Sequence, residues 1–260
     1  FLAIYETLET HVHFNTFQES TGNIFRRRIF NKFHRTFSHA LDVRFLQTNQ
    51  ILIGRFDHDG HRFARLNILF GTDFAIGFDT AVNTAVESID KIRDTADSHG
   101  RVFIVEVMGR NTGHMALETA LAVGAEFVCI PEAPLKTKTL IEKIQKGISR
   151  GKTGSIVIVA EKDRPGWALT LADIVEKSVK RDVRAAVLGH LQRGGAPTSS
   201  DRNLASRLGS RAVEVILEKQ NRIMVGSCCG KIQEVSFSKV IGKRRSADLQ
   251  KLRLVDMLSI

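Results

Sequence analysis

From residue 71 onward, short apolar runs alternate with longer stretches whose apolar residues recur every three or four positions. The run Arg-Val-Phe-Ile-Val-Glu-Val-Met-Gly-Arg at 101–110 is rich in β-branched and aromatic residues and predicts one buried strand, stopped at Met108 and Gly109. Upstream, Ala81, Val82, Ala85, Val86, Ile89 and Ile92 form a helical stripe within 79–96, with Asp79 and Thr80 as candidate N-cap oxygens. Downstream the pattern predicts helices near 112–123, 140–148, 170–180, 202–219 and 247–258. The intervening strands are predicted at 126–130, 155–160, 183–188 and 223–225. Strands alternating with helices in this way argue for an α/β fold, a Rossmann-like parallel sheet with helices on both faces.

Residues 1–70 follow no such alternation. They contain 11 of the 16 Phe, 6 of the 9 His, one Lys and no Pro. A short strand is expected at 50–54. Arg26, Arg27 and Arg28 read as a solvated basic face. Asp57, His58, Asp59 and His61 are metal-ligand types, but their spacing matches no metal site and a polar turn around Gly60 accounts for them. The chain therefore divides into an unassigned segment, 1–70, and an α/β region, 71–260.

Charge changes the picture next. The formal net charge is +10 over 260 residues. Zinc-finger spacing, an RNA-binding aromatic signature and a helix packed with Arg and Lys are all missing, so nucleic acid is not the expected partner. A basic total equally suits a protein that handles phosphorylated metabolites. The three cysteines, Cys129 and the vicinal pair Cys228 and Cys229, form no disulfide framework. With no membrane-length apolar run and no signal-peptide pattern, a cytoplasmic location is expected. The chain opens on Phe1 where a Met would be usual, and it reads as a truncated or chimeric gene product.

The candidate chemistry lies at strand ends and glycine turns. Arg101 and Arg110 bracket the 101–110 strand, Arg184 opens the 183–188 strand, and His190 and Arg193 sit in the glycine-rich turn that follows. In an open α/β sheet such groups are expected to line one edge and converge on a ligand. Arginines suit a phosphate dianion through charge-assisted, often bidentate bonds. Glu161, closing the 155–160 strand, would repel a phosphate but can accept hydrogen bonds from hydroxyl groups. The residues by themselves therefore suggest a phosphorylated polyol site. A surface arginine after an ordinary strand is the plain alternative at each position. The start of the 112–123 helix is a further possible anion site.

Three separated segments carry a family resemblance: Gly-Thr-Asp-Phe-Ala-Ile-Gly-Phe-Asp-Thr-Ala at 71–81, the 101–110 run, and Arg-Ala-Ala-Val-Leu-Gly-His-Leu-Gln-Arg-Gly-Gly at 184–195. In order and spacing they closely resemble the phosphofructokinases over residues 71–260. The resemblance implies transfer of the ATP γ-phosphoryl group to fructose 6-phosphate with Mg2+, in glycolysis. It implies that Arg101 and Arg184 reach the sugar phosphate of a neighbouring subunit, while His190 and Arg193 hold the phosphate in their own. Met108, Gly109 and Arg110 would form the turn beside the sugar, with Arg110 supporting the transition state, and Glu161 would hold sugar hydroxyls. Arg93, Gly124, Glu126, Arg150 and Lys152 resemble an effector site for a nucleotide or a phosphorylated inhibitor. A homotetramer is the implied assembly.

The resemblance stops at Gly71. The family's glycine-rich loops for ATP and Mg2+ and its catalytic aspartate lie upstream, and none is found in residues 1–70. Extended back without gaps, the base position falls on Leu66, which cannot accept a proton. No catalytic base or metal ligand is identified, and a chain without its upstream strands is expected to be of low stability. A catalytically silent sugar-phosphate-binding or regulatory module is the alternative function, and a pyrophosphate-dependent phosphofructokinase a further one.

Overall fold

The apolar runs at 102–107 and 155–160 pair in parallel and form the centre of a four-stranded sheet. The computed structural model describes residues 51–53, 69–109, 112–134, 136–243 and 245–259. The strands are β1 (Ile51–Ile53), β2 (Val102–Val107), β3 (Phe127–Cys129), β4 (Ser155–Ala160), β5 (Val183–Val187), β6 (Ile223–Cys228) and β7 (Lys231–Ser236). The helices are α1 (Phe78–His99), α2 (His114–Val123), α3 (Thr137–Ser149), α4 (Trp167–Val179), α5 (Ser199–Leu217), α6 (Phe237–Val240) and α7 (Leu249–Leu258). A 3-10 turn covers Gly189–Arg193.

The main sheet has the order β3-β4-β2-β5 and is parallel throughout. Alternate side chains leave its two faces. Val105, Val107, Ile156 and Ile158 pack with α1 and α2, and α7 closes that core through Val255. Val102, Ile104, Val157 and Val159 pack with α3 and α4 on the other side. This is the expected layering of helices on both faces, and a strand buried twice over has to read as a continuous apolar run.

One residue breaks that run. Glu106 lies in the middle of the apolar stretch yet is only 1% exposed. Its carboxylate oxygens accept the backbone N–H groups of Gly166 and Ala168, each at 2.8 Å. These are donors at the start of α4 that no helical carbonyl can reach, so a buried strand residue caps a helix. The cap explains why α4 begins at Trp167, ahead of the apolar pattern at 170–180.

A second sheet, ordered β1-β6-β7, departs from the expected single parallel sheet. β1 and β6 are parallel, and β6 and β7 form an antiparallel hairpin. β7 was not legible because Lys231–Ser236 offers only Ile232 and Val235 to a core, as an edge strand does. α5 covers this sheet through Leu208, Ala212 and Val215. Arg211 of α5 ties the edge down by ion pairs to Glu214, Glu218 and Glu234. The strand expected near residue 51 is present. Arg26 to Arg28, the 57–61 cluster and Leu66 lie outside the described residues.

The start of α1 corrects the capping expectation. Asp79 and Thr80 lie inside the helix, and its N-cap is Gly77, in the left-handed region at φ 87°. Asp201 of α5 supplies the acceptor instead, taking the N–H groups of Gly77 at 2.9 Å and Thr80 at 2.8 Å. A carboxylate from a distant helix does what a local side chain was expected to do.

Replacing Glu106 with Ala strands the Gly166 and Ala168 donors. At about 1–3 kcal/mol for each orphaned buried group, urea unfolding should show a loss of roughly 2–6 kcal/mol. Glu106→Gln, which retains one carbonyl acceptor, should lose about half of that.

Candidate functional site

The carboxyl ends of β2, β4 and β5 lie side by side, because Val107 registers with Ala160 and Glu106 with Val187. Three of the sequence-derived site segments emerge there. Met108 and Gly109 follow β2, Glu161 follows β4, and Gly189–Arg193 follows β5. Glu161 is 8% exposed, and its backbone N–H donates to the carbonyl of Val107 at 2.9 Å. His190 and Arg193 are exposed on the short 3-10 turn.

Gln192 holds this edge together, and sequence reasoning missed it. It lies in the same glycine-rich turn but is 3% exposed. Its Oε1 accepts the N–H of Met108 at 2.8 Å, and its Nε2 donates to the carbonyl of Ala81 in α1 at 3.1 Å. Nε2 also lies 3.0 Å from Sδ of Met115 in α2. One amide thus joins the ends of two strands to the two covering helices. A polar residue flanked by apolar Leu191 and basic Arg193 carries no periodic signal of burial.

Gly109 is required by space. A Cβ there would sit 2.5 Å from the carbonyl oxygen of Thr112, a backbone atom that cannot rotate aside. Thr112 in turn donates its hydroxyl to the carbonyl of Gly109 at 2.7 Å, closing the turn. Arg110 lies outside the described residues. The start of α2 is not an open anion site at Gly113, because that N–H donates to Glu132 Oε1 at 3.0 Å.

Arg101 and Arg184 are not on this edge. Arg101 precedes β2, and Arg184 pairs in register with Phe103 near the amino end of the sheet. A six-residue strand separates the two edges by about 20 Å. The expectation that all these basic groups line one edge of one chain is therefore corrected: strands have two ends, and the sequence pattern does not say which end a flanking residue serves. Asp182 gathers the two arginines. Its Oδ2 lies 2.6 Å from Nε of Arg101, and its Oδ1 lies 2.8 Å from Nε of Arg184. Desolvation opposes charge on Asp182, but the hydrogen bonds from Arg101 and Arg184 prevail and hold its carboxyl below the ordinary range.

Of the residues expected at an effector site, Arg93, Gly124, Glu126 and Lys152 lie near the C-terminal end of α2. Arg93 donates to the carbonyl of Val123, and Gly124 caps the helix in the left-handed region at φ 59°. Glu126 accepts the N–H of Ile156 at 2.6 Å, and its other oxygen lies 3.8 Å from Nζ of Lys152. Arg150 is the exposed C-cap of α3, two residues from Lys152. His99 and His114 bond to backbone carbonyls, in line with structural roles. Burial pushes the Cys129 thiol up to about 11, so it stays neutral.

A separate cavity of about 750 Å³ lies among α1, α2, α5 and the segment before α7, lined in part by Asp73, His114, Asp201, Arg207 and Arg245. None of Met108, Gly109, Glu161, His190 and Arg193 lines it. Among the described residues, the one cluster of three metal-ligand types is Asp73, Cys228 and Cys229. Two sulfurs and one carboxylate do not suit Mg2+, a hard cation that takes oxygen ligands. Among them, no helix is long and apolar enough to cross a membrane.

The chain is similar to known proteins. The family model described as phosphofructokinase matches residues 67–216. The chain is 46% identical over 194 residues to the ATP-dependent 6-phosphofructokinase 1 of Thermus thermophilus, covering 75% of this chain and 60% of that protein. It is 49% identical over 189 residues to the ATP-dependent 6-phosphofructokinase of Brevibacillus brevis, covering 73% and 59%. The chain thus spans about three fifths of the length of these curated relatives. Among solved structures, the phosphofructokinase of Saccharomyces cerevisiae superposes with a TM-score of 0.58 at 29% identity, over 72% of this chain and 25% of that one. The Pichia pastoris phosphofructokinase in the T-state superposes with a TM-score of 0.69 at 23% identity, over 88% and 29%, which speaks for the fold.

Two measurements check this geometry. Gln192→Leu orphans the Met108 donor, and should cost about 1–3 kcal/mol in urea unfolding. The Asp182 carboxyl should titrate below the ordinary Asp value by carbon-detected NMR. Its folded value is lowered, so its pairing with Arg101 and Arg184 is present above the unfolded carboxylate range and is lost as pH falls through the folded value. Arg184→Ala should move that titration upward.

Proposed function

The chain belongs to the phosphofructokinase family, and on that footing we propose that it forms the sugar-phosphate half of a 6-phosphofructokinase, which transfers the γ-phosphoryl group of ATP to fructose 6-phosphate. The observation that carries this reading is the convergence of Met108, Gly109, Glu161, His190 and Arg193 on the carboxyl ends of three adjacent parallel strands. His190 and Arg193 neutralise the sugar phosphate. Glu161, set back from them on β4, accepts hydrogen bonds from the sugar hydroxyls and orients the ring. The close turn at Gly109 lets backbone approach the sugar, and Arg110 stabilises charge on the transferred group.

Arg101 and Arg184 serve a second copy of the chain. Both lie at the opposite sheet edge, about 20 Å from their own carboxyl-edge groups, and Asp182 holds them side by side. A site completed by two arginines from a neighbour makes the active species a homo-oligomer, a tetramer by family. Rotation of one subunit on another would then move both arginines together and couple the sites. Arg93, Gly124, Glu126, Arg150 and Lys152 form the effector site for a nucleotide or phosphorylated inhibitor. A soluble cytoplasmic setting fits such a reaction.

In the family, the loops for the phosphoryl donor and Mg2+ lie upstream of the segment that begins at Gly71. Leu66 at the family's base position favours a second reading, in which the chain binds sugar phosphate without turnover. A coupled assay of fructose 1,6-bisphosphate formation separates the two, run beside calorimetric titration with fructose 6-phosphate. The expected result is binding with little or no turnover by the chain alone. Arg193→Ala and Arg184→Ala should each weaken binding roughly 10- to 100-fold, the worth of a lost charge-assisted hydrogen bond. Absence of any fructose 6-phosphate binding in an oligomeric sample would sink the sugar-site assignment. Turnover abolished by Arg110→Ala would place a working donor site within residues 1–70.

A further inference from the structure

We propose that Cys228, Cys229 and Asp73 form a binding site for a thiophilic d10 cation such as Zn2+ at the tip of the β6–β7 hairpin. The site is separate from the sugar-phosphate edge and does not rest on its function.

Adjacent residues of a strand ordinarily point to opposite faces, so vicinal cysteines in extended chain cannot share a ligand. Here the hairpin prevents that. Cys228 is the last residue of β6 and pairs with Lys231, leaving Cys229 and Gly230 as a two-residue turn. Both turn residues are left-handed, Cys229 at φ 50° and Gly230 at φ 77°, which is the backbone of a type I′ turn. Asn, Asp or Gly is the usual choice where Cys229 stands. The turn brings the two Sγ atoms to 3.9 Å, and both thiols are free. Two thiolates bound at about 2.3 Å to one tetrahedral zinc ion lie about 3.8 Å apart, so the pair already has the bite of a zinc site.

The third group comes from a distant part of the chain. Asp73, in the loop before α1, places a carboxylate oxygen within 4.8 Å of both sulfurs. Its position is built: Oδ2 accepts the N–H of Cys229 at 2.6 Å, and Oδ1 accepts from Arg245 at 2.9 Å. Each carboxylate oxygen keeps a second lone pair for a metal. Cys228 is half-buried and Cys229 exposed, so an ion can enter, and solvent is left to fill the fourth position. Two sulfur donors select zinc or cadmium over magnesium or calcium. An ion held there would fasten the hairpin to the loop that leads into α1, beside the 750 Å³ cavity that Asp73 and Gly230 line.

The test uses the reduced full chain and Cd2+ as the probe, followed by sulfur-to-metal charge-transfer absorbance in the ultraviolet and by thermal melting. One Cd2+ per chain, a rise in melting temperature on binding, and loss of both signals in Cys228→Ser/Cys229→Ser are expected. Asp73→Asn should weaken binding roughly 10- to 100-fold. Far-ultraviolet circular dichroism checks that the variants remain folded. Absence of charge-transfer absorbance in the parent chain, or its persistence in the double serine variant, would overturn the proposal. Unchanged affinity in Asp73→Asn would overturn the assignment of the third ligand.

Discussion

The hydrogen bond between the backbone of Met108 and the side chain of Gln192 is the contact on which the carboxyl edge depends. An N–H at the end of a buried strand has lost its partner in the sheet and must find another, since a buried unpaired donor is costly. Gln192 supplies the acceptor from the turn after β5, and its other end is held by α1. The turn that carries His190 and Arg193 is therefore positioned by a residue between them that faces the protein. His190 and Arg193 stay exposed while Gln192 takes the packing role.

The same division recurs at Glu106 and Asp201. Each is a buried carboxylate that takes the first N–H groups of a helix from another element. Helix α4 is thereby locked to β2, and α1 to α5. These contacts cross between units that apolar packing alone would only bring together, and they fix how the units meet. Hydrophobic burial is non-directional, whereas a carboxylate bonded to two amides allows one arrangement.

The two sheet edges carry different groups. The carboxyl edge carries a carboxylate and basic groups suited to a phosphorylated sugar, and the amino edge carries Arg101 and Arg184 bound to Asp182. Asp182 keeps two cations adjacent that would otherwise repel, and it presents them as a unit. A parallel sheet cannot bring its two ends together, so these groups stay apart within one chain.

Much of the architecture was legible in the sequence. The continuous runs at 102–107 and 155–160 had to be strands buried on both faces, and the stripe from Ala81 to Ile92 had to be a helix with one apolar side, because burial imposes those periods. Gly109 and the Gly-His-Leu-Gln-Arg-Gly-Gly turn also marked the carboxyl edge, since close turns demand such residues. Tertiary structure decided the rest. It placed Arg101 and Arg184 at the far edge, turned Glu106 and Gln192 inward, set Asp201 as the cap of α1, and brought Asp73 to Cys228 and Cys229. Each of these depends on a partner at least 60 positions away or on strand direction. Periodicity records which face of an element is buried, and it holds no information about which distant group meets that face or which end of a strand a residue will serve.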